Sequence, residues 1–81
     1  MKIHVRFFSF LCELTGHSEM FIVVPEAANV DLLLGLLADR YPGFREVRRC
    51  LLIAVRLEYQ TKEYTLTDGD EVSLFPPVQG G

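Results

Sequence analysis

Apolar and polar residues alternate along KIHVRF, residues 2–7, so Ile3, Val5 and Phe7 share one face of a strand while Lys2, His4 and Arg6 share the other. Phe8 follows Phe7 and falls on the opposite side. The next stretch predicts a short helical turn over Phe10 to Leu14, with Gly16 placed to stop it. SEMFIVV, residues 18–24, reads as a second strand closed by Pro25, and two strands so close in sequence pair antiparallel. From Asn29 the period changes. Val30, Leu33, Leu34, Leu37 and Tyr41 recur at helical spacing, behind an Asn that suits an N-cap and an Asp31 that suits the first turn. Gly35 costs this helix about 1 kcal/mol against alanine, less than its leucines gain on burial. Pro42-Gly43 ends it.

Phe44 to Cys50 predicts one further turn with Arg45, Arg48 and Arg49 solvated. Leu51 to Leu57 predicts a strand with Ile53 and Val55 inward. Tyr59 to Thr65 is polar and reads as a loop with a minor strand, and Thr67-Asp68-Gly69-Asp70 reads as a turn. Glu71 to Phe75 closes the series, with Val72 and Leu74 inward and Phe75 outward. The order strand, strand, helix, strand, short strand, strand predicts an α+β fold, a mixed sheet with one main helix on one face. The expected organisation is a single domain over residues 1–75 and an extended tail over residues 76–81. The sheet's second face is left to solvent or to a partner.

Composition narrows the function classes. The 81 residues are 49% apolar, enough for one core and against disorder. Eleven acidic against eight basic residues leave a net charge of −3, which gives no footprint for a nucleic acid or an anionic membrane. The N-terminal run alternates like a strand and lacks a signal-peptide pattern. The longest helical apolar stretch, VDLLLGLLA, is too short to cross a bilayer. Cys12 and Cys50 sit among apolar neighbours, and two buried, reduced thiols in a cytoplasmic protein are expected over one disulfide. His4, Cys12, His17 and Cys50 show no metal-ligand spacing, so no metal site is expected. His4 reads as a solvent-facing strand residue and His17 as a turn residue. Asp68, Asp70 and Glu71 read as solvated acids around a turn. No nucleophile with a base, no phosphate loop and no dinucleotide fingerprint is present.

The remaining chemistry is in the last residues, FPPVQGG. Glycine ends are common and carry little by themselves. Pro76-Pro77, however, fixes φ and holds the exit path extended. From Pro76 the chain reaches about 20 Å. Gly80 and Gly81 have no Cβ and fit a narrow channel. They deliver a terminal carboxylate, which becomes reactive only when activated, typically as an acyl-adenylate.

The run LTDGDEVSLFPPVQGG, residues 66–81, with VRFFSFLCELTG at 5–16 and LLIAV at 51–55, closely resembles the small-subunit family of molybdopterin synthase, the MoaD type. The likeness covers the whole chain, and FPPV-x-GG is its most specific part. It implies a ubiquitin-like β-grasp fold. It also implies that an E1-like adenylyltransferase (MoeB-type), using ATP, adenylates Gly81, and that a sulfur donor protein converts the adenylate to a thiocarboxylate. The tail then enters a large subunit (MoaE-type), where sulfur passes to cyclic pyranopterin monophosphate. Gly80 keeps the approach narrow, and Pro76, Pro77 and Val78 aim the tail. The resemblance further implies that this chain binds no cofactor and is not an enzyme on its own, with the acid–base residues belonging to the partner. Phe8, Tyr59 and Phe75 are the expected docking aromatics; the other reading of Phe8 is a cover for the sheet's own second face. Two positions depart from the family's usual pattern: Arg56 replaces an Asn at a turn-like spot, and Cys12 replaces a residue that is often basic. The alternatives are a sulfur carrier for thiazole or cysteine synthesis, whose members typically lack the paired prolines, and a protein modifier or binding module.

Overall fold

The computed structural model describes residues 1–77. Strand β1 (Lys2–Phe7) pairs antiparallel with β2 (Glu19–Val23) and parallel with β5 (Glu71–Phe75). On its other side β5 pairs antiparallel with β3 (Leu52–Val55), which in turn pairs with β4 (Glu58–Tyr59), giving the order β2-β1-β5-β3-β4. This is the mixed sheet of a β-grasp, with β1 and β5 at its centre. Helix α1 (Leu11–Thr15) links β1 to β2 and ends at Gly16, whose φ of 78° lets its N–H reach back to the Cys12 carbonyl at 2.8 Å.

The main helix α2 (Val30–Arg40) buries Val30, Leu33, Leu34, Leu37 and Ala38 against the inward residues Ile3, Val5, Phe7, Ile53, Val55, Val72 and Leu74. Each leucine so buried stabilises the fold by about 2 kcal/mol. The N–H groups of Val30, Asp31 and Leu32, which have no partner inside the helix, all find acceptors. Asn29 Oδ1 accepts from Leu32 N–H at 2.9 Å, the Asn29 carbonyl from Leu33, and the carbonyls of Tyr64 and Lys62 from Val30 and Asp31. The polar segment after β4 is thereby tied to the helix start. The helix stops because Tyr41 precedes Pro42 and is pushed to extended backbone (φ −126°, ψ 97°). Helix α3 (Phe44–Val47) and a 3-10 turn (Arg48–Cys50) follow, with Phe44 fully buried.

Four expectations need correction. Arg48 is half-buried: Nη2 donates to both the carbonyl and the carboxylate of Asp31 at 3.0 Å and packs over the bare Cα of Gly35. Asp70 is not a solvated acid but is 1% exposed, accepting from the Thr67 N–H at 2.8 Å and from Arg56 Nε at 2.9 Å. The strand expected to run to Leu57 ends at Val55. Arg56 and Leu57 are instead the two central residues of a hairpin turn, with φ of 52° and 76°. Both cysteines are free, but Cys12 is only half-buried, its thiol pointing to the Phe7 carbonyl, and Cys50 is exposed.

Candidate functional site

Helix α2 covers one side of the sheet and leaves the other open. Parity then decides what that open side presents. β1 contributes Lys2, His4 and Arg6, β5 contributes Glu71, Ser73 and Phe75, and the register sets Arg6 beside Ser73, Leu52 beside Phe75, and Ala54 between Ser73 and Tyr59. Phe8, one residue past β1, donates its N–H to the Leu74 carbonyl at 3.2 Å, which keeps it in line with the end of β5. Its ring stacks on Phe75 with centroids 4.5 Å apart and planes 18° from parallel. The Arg6 guanidinium lies 5.4 Å over the Phe8 ring and 3.5 Å from the Glu71 carboxylate. Tyr59 stands 74% exposed on β4.

Phe8 and Phe75, expected from parity, and Tyr59, expected beside them, therefore border one hollow. With Arg6, Ala54, Leu57, Glu71 and Ser73 they line its volume of about 280 Å³. Phe8 both covers the sheet's second face and belongs to this patch, so the two readings of it are compatible. The tail leaves from the end of β5, a strand bonded on both sides, so Pro76 and Pro77 start from a rigid base. At that base a second hollow, about 370 Å³, is lined by Ser9, Phe10, Glu46, Val47, Cys50, Pro76 and Pro77. Val78, Gly80 and Gly81 lie outside the described residues.

One site residue was missed by sequence reasoning. Leu57 is 99% exposed at the hairpin tip and borders the aromatic hollow. The sequence reads as a strand end there because Arg-Leu carries no turn signal. The other open-face cluster lies around β2: Phe21 stacks on His4 at 4.6 Å, Lys2 Nζ sits 4.9 Å above the same ring, and His4 Nε2 is 2.6 Å from Glu19 Oε1. His4 is thus half-buried in a stack. His17 sits exposed in the turn before β2. Among the described residues, no three His, Cys, Asp or Glu side chains gather where a metal could be held, and no helix is long and apolar enough to cross a membrane.

Comparisons with known proteins agree in one direction. The family described as ThiS matches residues 5–81. The chain is similar to the molybdopterin synthase sulfur carrier subunit of Escherichia coli K12, 37% identical over 82 residues and spanning 98% of this chain and 99% of that one. Among solved structures it is similar to a Pyrococcus furiosus protein assigned as subunit 1 of molybdopterin converting factor, with a TM-score of 0.89, 32% identity, and coverage of 96% and 99%. It is similar also to a chain in the complex of subunits 1 and 2 of molybdopterin-converting factor from Helicobacter pylori, with a TM-score of 0.69, 28% identity and full coverage of both.

Proposed function

The chain belongs to the ThiS family, and from that premise we infer that it is the sulfur-carrier small subunit of a molybdopterin synthase, working in molybdenum cofactor biosynthesis. The observation that carries this reading is the likeness to the E. coli sulfur carrier subunit over 98% of this chain, beside a family match that runs through residue 81.

The physical argument runs from the tail inward. A carboxylate is a poor electrophile, and ATP makes it a good one: attack on the α-phosphate gives a glycyl-adenylate at Gly81 and releases pyrophosphate. A sulfur donor then displaces AMP and leaves a thiocarboxylate, a covalent carrier that splits one hard transfer into two easier ones. Inside a large subunit this sulfur attacks cyclic pyranopterin monophosphate, and two such deliveries supply the dithiolene. Gly80 and Gly81 offer no side chain to obstruct a narrow channel. Pro76 and Pro77 fix φ where the chain leaves β5, and in this reading they and Val78 aim the tail. The ATP belongs to an E1-like adenylyltransferase, and the acid–base groups belong to the large subunit. This chain contributes the carrier and the handle.

The handle is the open sheet face. Phe8, Tyr59 and Phe75 form a patch with a stacked pair and an adjoining hollow, at the end of the sheet from which the tail leaves. A large subunit docked there receives the tail without any search, because the patch and the exit share strand β5. Aromatic clusters of this kind dominate the energetics of small interfaces. The same reading puts the work in the cytoplasm, where ATP is available and thiols such as Cys12 and Cys50 stay reduced.

Intact-mass measurement tests the reading. After incubation with an E1-like adenylyltransferase, ATP and a sulfur donor, the chain should gain about 16 Da, one oxygen replaced by sulfur at an activated acyl group. A chain lacking Gly81 should gain nothing. A product joined to lysines of another protein, with no mass gain on the free chain, would show a protein modifier instead.

A further inference from the structure

The two-residue turn between β3 and β4 is built from the wrong residues for its geometry. A hairpin closed by two residues with positive φ is the natural place for Asn-Gly, because a Cβ crowds the backbone in the left-handed region. Here Arg56 and Leu57 occupy it at φ of 52° and 76°. Arg56 has a compensation within the chain, since its Nε donates to the buried carboxylate of Asp70 at 2.9 Å. Leu57 has none. It is a bulky residue in left-handed backbone whose side chain is 99% exposed, so the fold bears the strain and gains no burial from it.

Its position supplies a use. Leu57 borders the hollow formed with Phe8, Tyr59 and Phe75 and projects beyond the sheet at the tip of the hairpin. We propose that Leu57 is a docking residue, held in a strained turn so that its side chain enters an apolar pocket on the second subunit while the aromatic patch packs beside it. The proposal rests on the reading of this chain as the small subunit of a molybdopterin synthase, and extends it to a residue that the aromatic pattern does not include. The partner chemistry is specific: an uncharged pocket sized for one branched aliphatic side chain, next to a surface that covers the stacked Phe8–Phe75 pair. Burying a fully exposed leucine on association gives back the apolar area that the folded monomer leaves in water.

Leu57→Asn separates a docking role from a folding role, since Asn tolerates left-handed backbone and removes the apolar group. Leu57→Met keeps an apolar side chain of similar length. Binding of wild type and both variants to subunit 2 of molybdopterin converting factor from the same organism is measured by calorimetry, and each protein is melted alone. The expected result is a melting temperature for Leu57→Asn equal to or above wild type, with affinity reduced about tenfold or more, and affinity near wild type for Leu57→Met. Unchanged affinity of Leu57→Asn overturns the proposal. A clearly lower melting temperature overturns it too, since the side chain would then serve the fold. If wild type itself fails to bind subunit 2, the assignment to a molybdopterin synthase falls along with the proposal; if wild type binds and Leu57→Asn binds equally, only the proposal falls.

Discussion

Arg56 and Asp70 are joined by a 2.9 Å charged hydrogen bond that links the β3–β4 turn to the loop entering β5. The carboxylate is 1% exposed while the arginine side chain is 65% exposed, so the pair is buried at one end and wet at the other. Its second oxygen takes the N–H of Thr67, closing the Thr67–Asp70 turn in which Gly69 has a φ of 86°. One carboxylate thus holds two turns, and both lie one strand away from the tail.

Asp70→Ala should cost about 2–3 kcal/mol, because it orphans the Thr67 N–H and leaves Arg56 in left-handed backbone without its compensation. Arg56→Asn should cost less, since Asn relieves the backbone strain even as it abandons the carboxylate. Urea denaturation of the two variants checks the order. Equal destabilisation would mean that the ion pair, and not the turn, is what Asp70 supports.

Phe75→Ala should keep the sheet and lose the partner. Phe75 is half-buried, stacked on Phe8, and its removal costs the fold roughly the 0.5–1.5 kcal/mol of an aromatic pair together with some buried area. At the proposed docking face the same change would remove a central anchor, so affinity for subunit 2 should fall by about tenfold to a hundredfold. Circular dichroism and titration calorimetry on one preparation separate the two effects.

Leu34→Ala should be the most damaging of these changes to stability. Leu34 is fully buried in the core between α2 and the sheet. Leucine truncation at such sites costs about 3–5 kcal/mol. In a chain this small that lowers the melting temperature by roughly 12 °C or more, which differential scanning calorimetry would show.

Gly35→Ala should move the other way. A Cβ at Gly35 would lie 3.4 Å from Arg48 Nη2, ordinary contact with the end of a flexible side chain. The helix gains about 0.5–1 kcal/mol in propensity, and the Arg48–Asp31 pair, exposed on the acid side, has little to lose. A destabilised variant would show that Arg48 needs the bare Cα of Gly35 to reach the Asp31 carbonyl.

Much of this molecule is legible without coordinates. The inward residues of β1 and β5, the leucine stripe of α2 and the Asn29 cap follow from period and from local hydrogen-bonding chemistry, which depend only on neighbours three or four places away. The FPPVQGG ending is legible for the same reason: proline and glycine act on their own backbone whatever surrounds them. Parity alone also put Phe8 and Phe75 on the open face.

Tertiary structure decided what distant residues do to each other. Asp70 looks like any solvated turn acid until the β3–β4 hairpin lays Arg56 across it, 14 positions away. Arg48 reads as a surface cation until the chain turns back to set it against Asp31, 17 positions away, and over Gly35. Leu57 reads as a strand residue because Arg-Leu has no intrinsic preference for a left-handed turn. The ladders joining β3 to β4 and to β5 impose that geometry, and once imposed it leaves a leucine in open water. Local pattern specifies which elements form and which faces are apolar, whereas long-range pairing decides which charges are neutralised and which side chains are left for a partner.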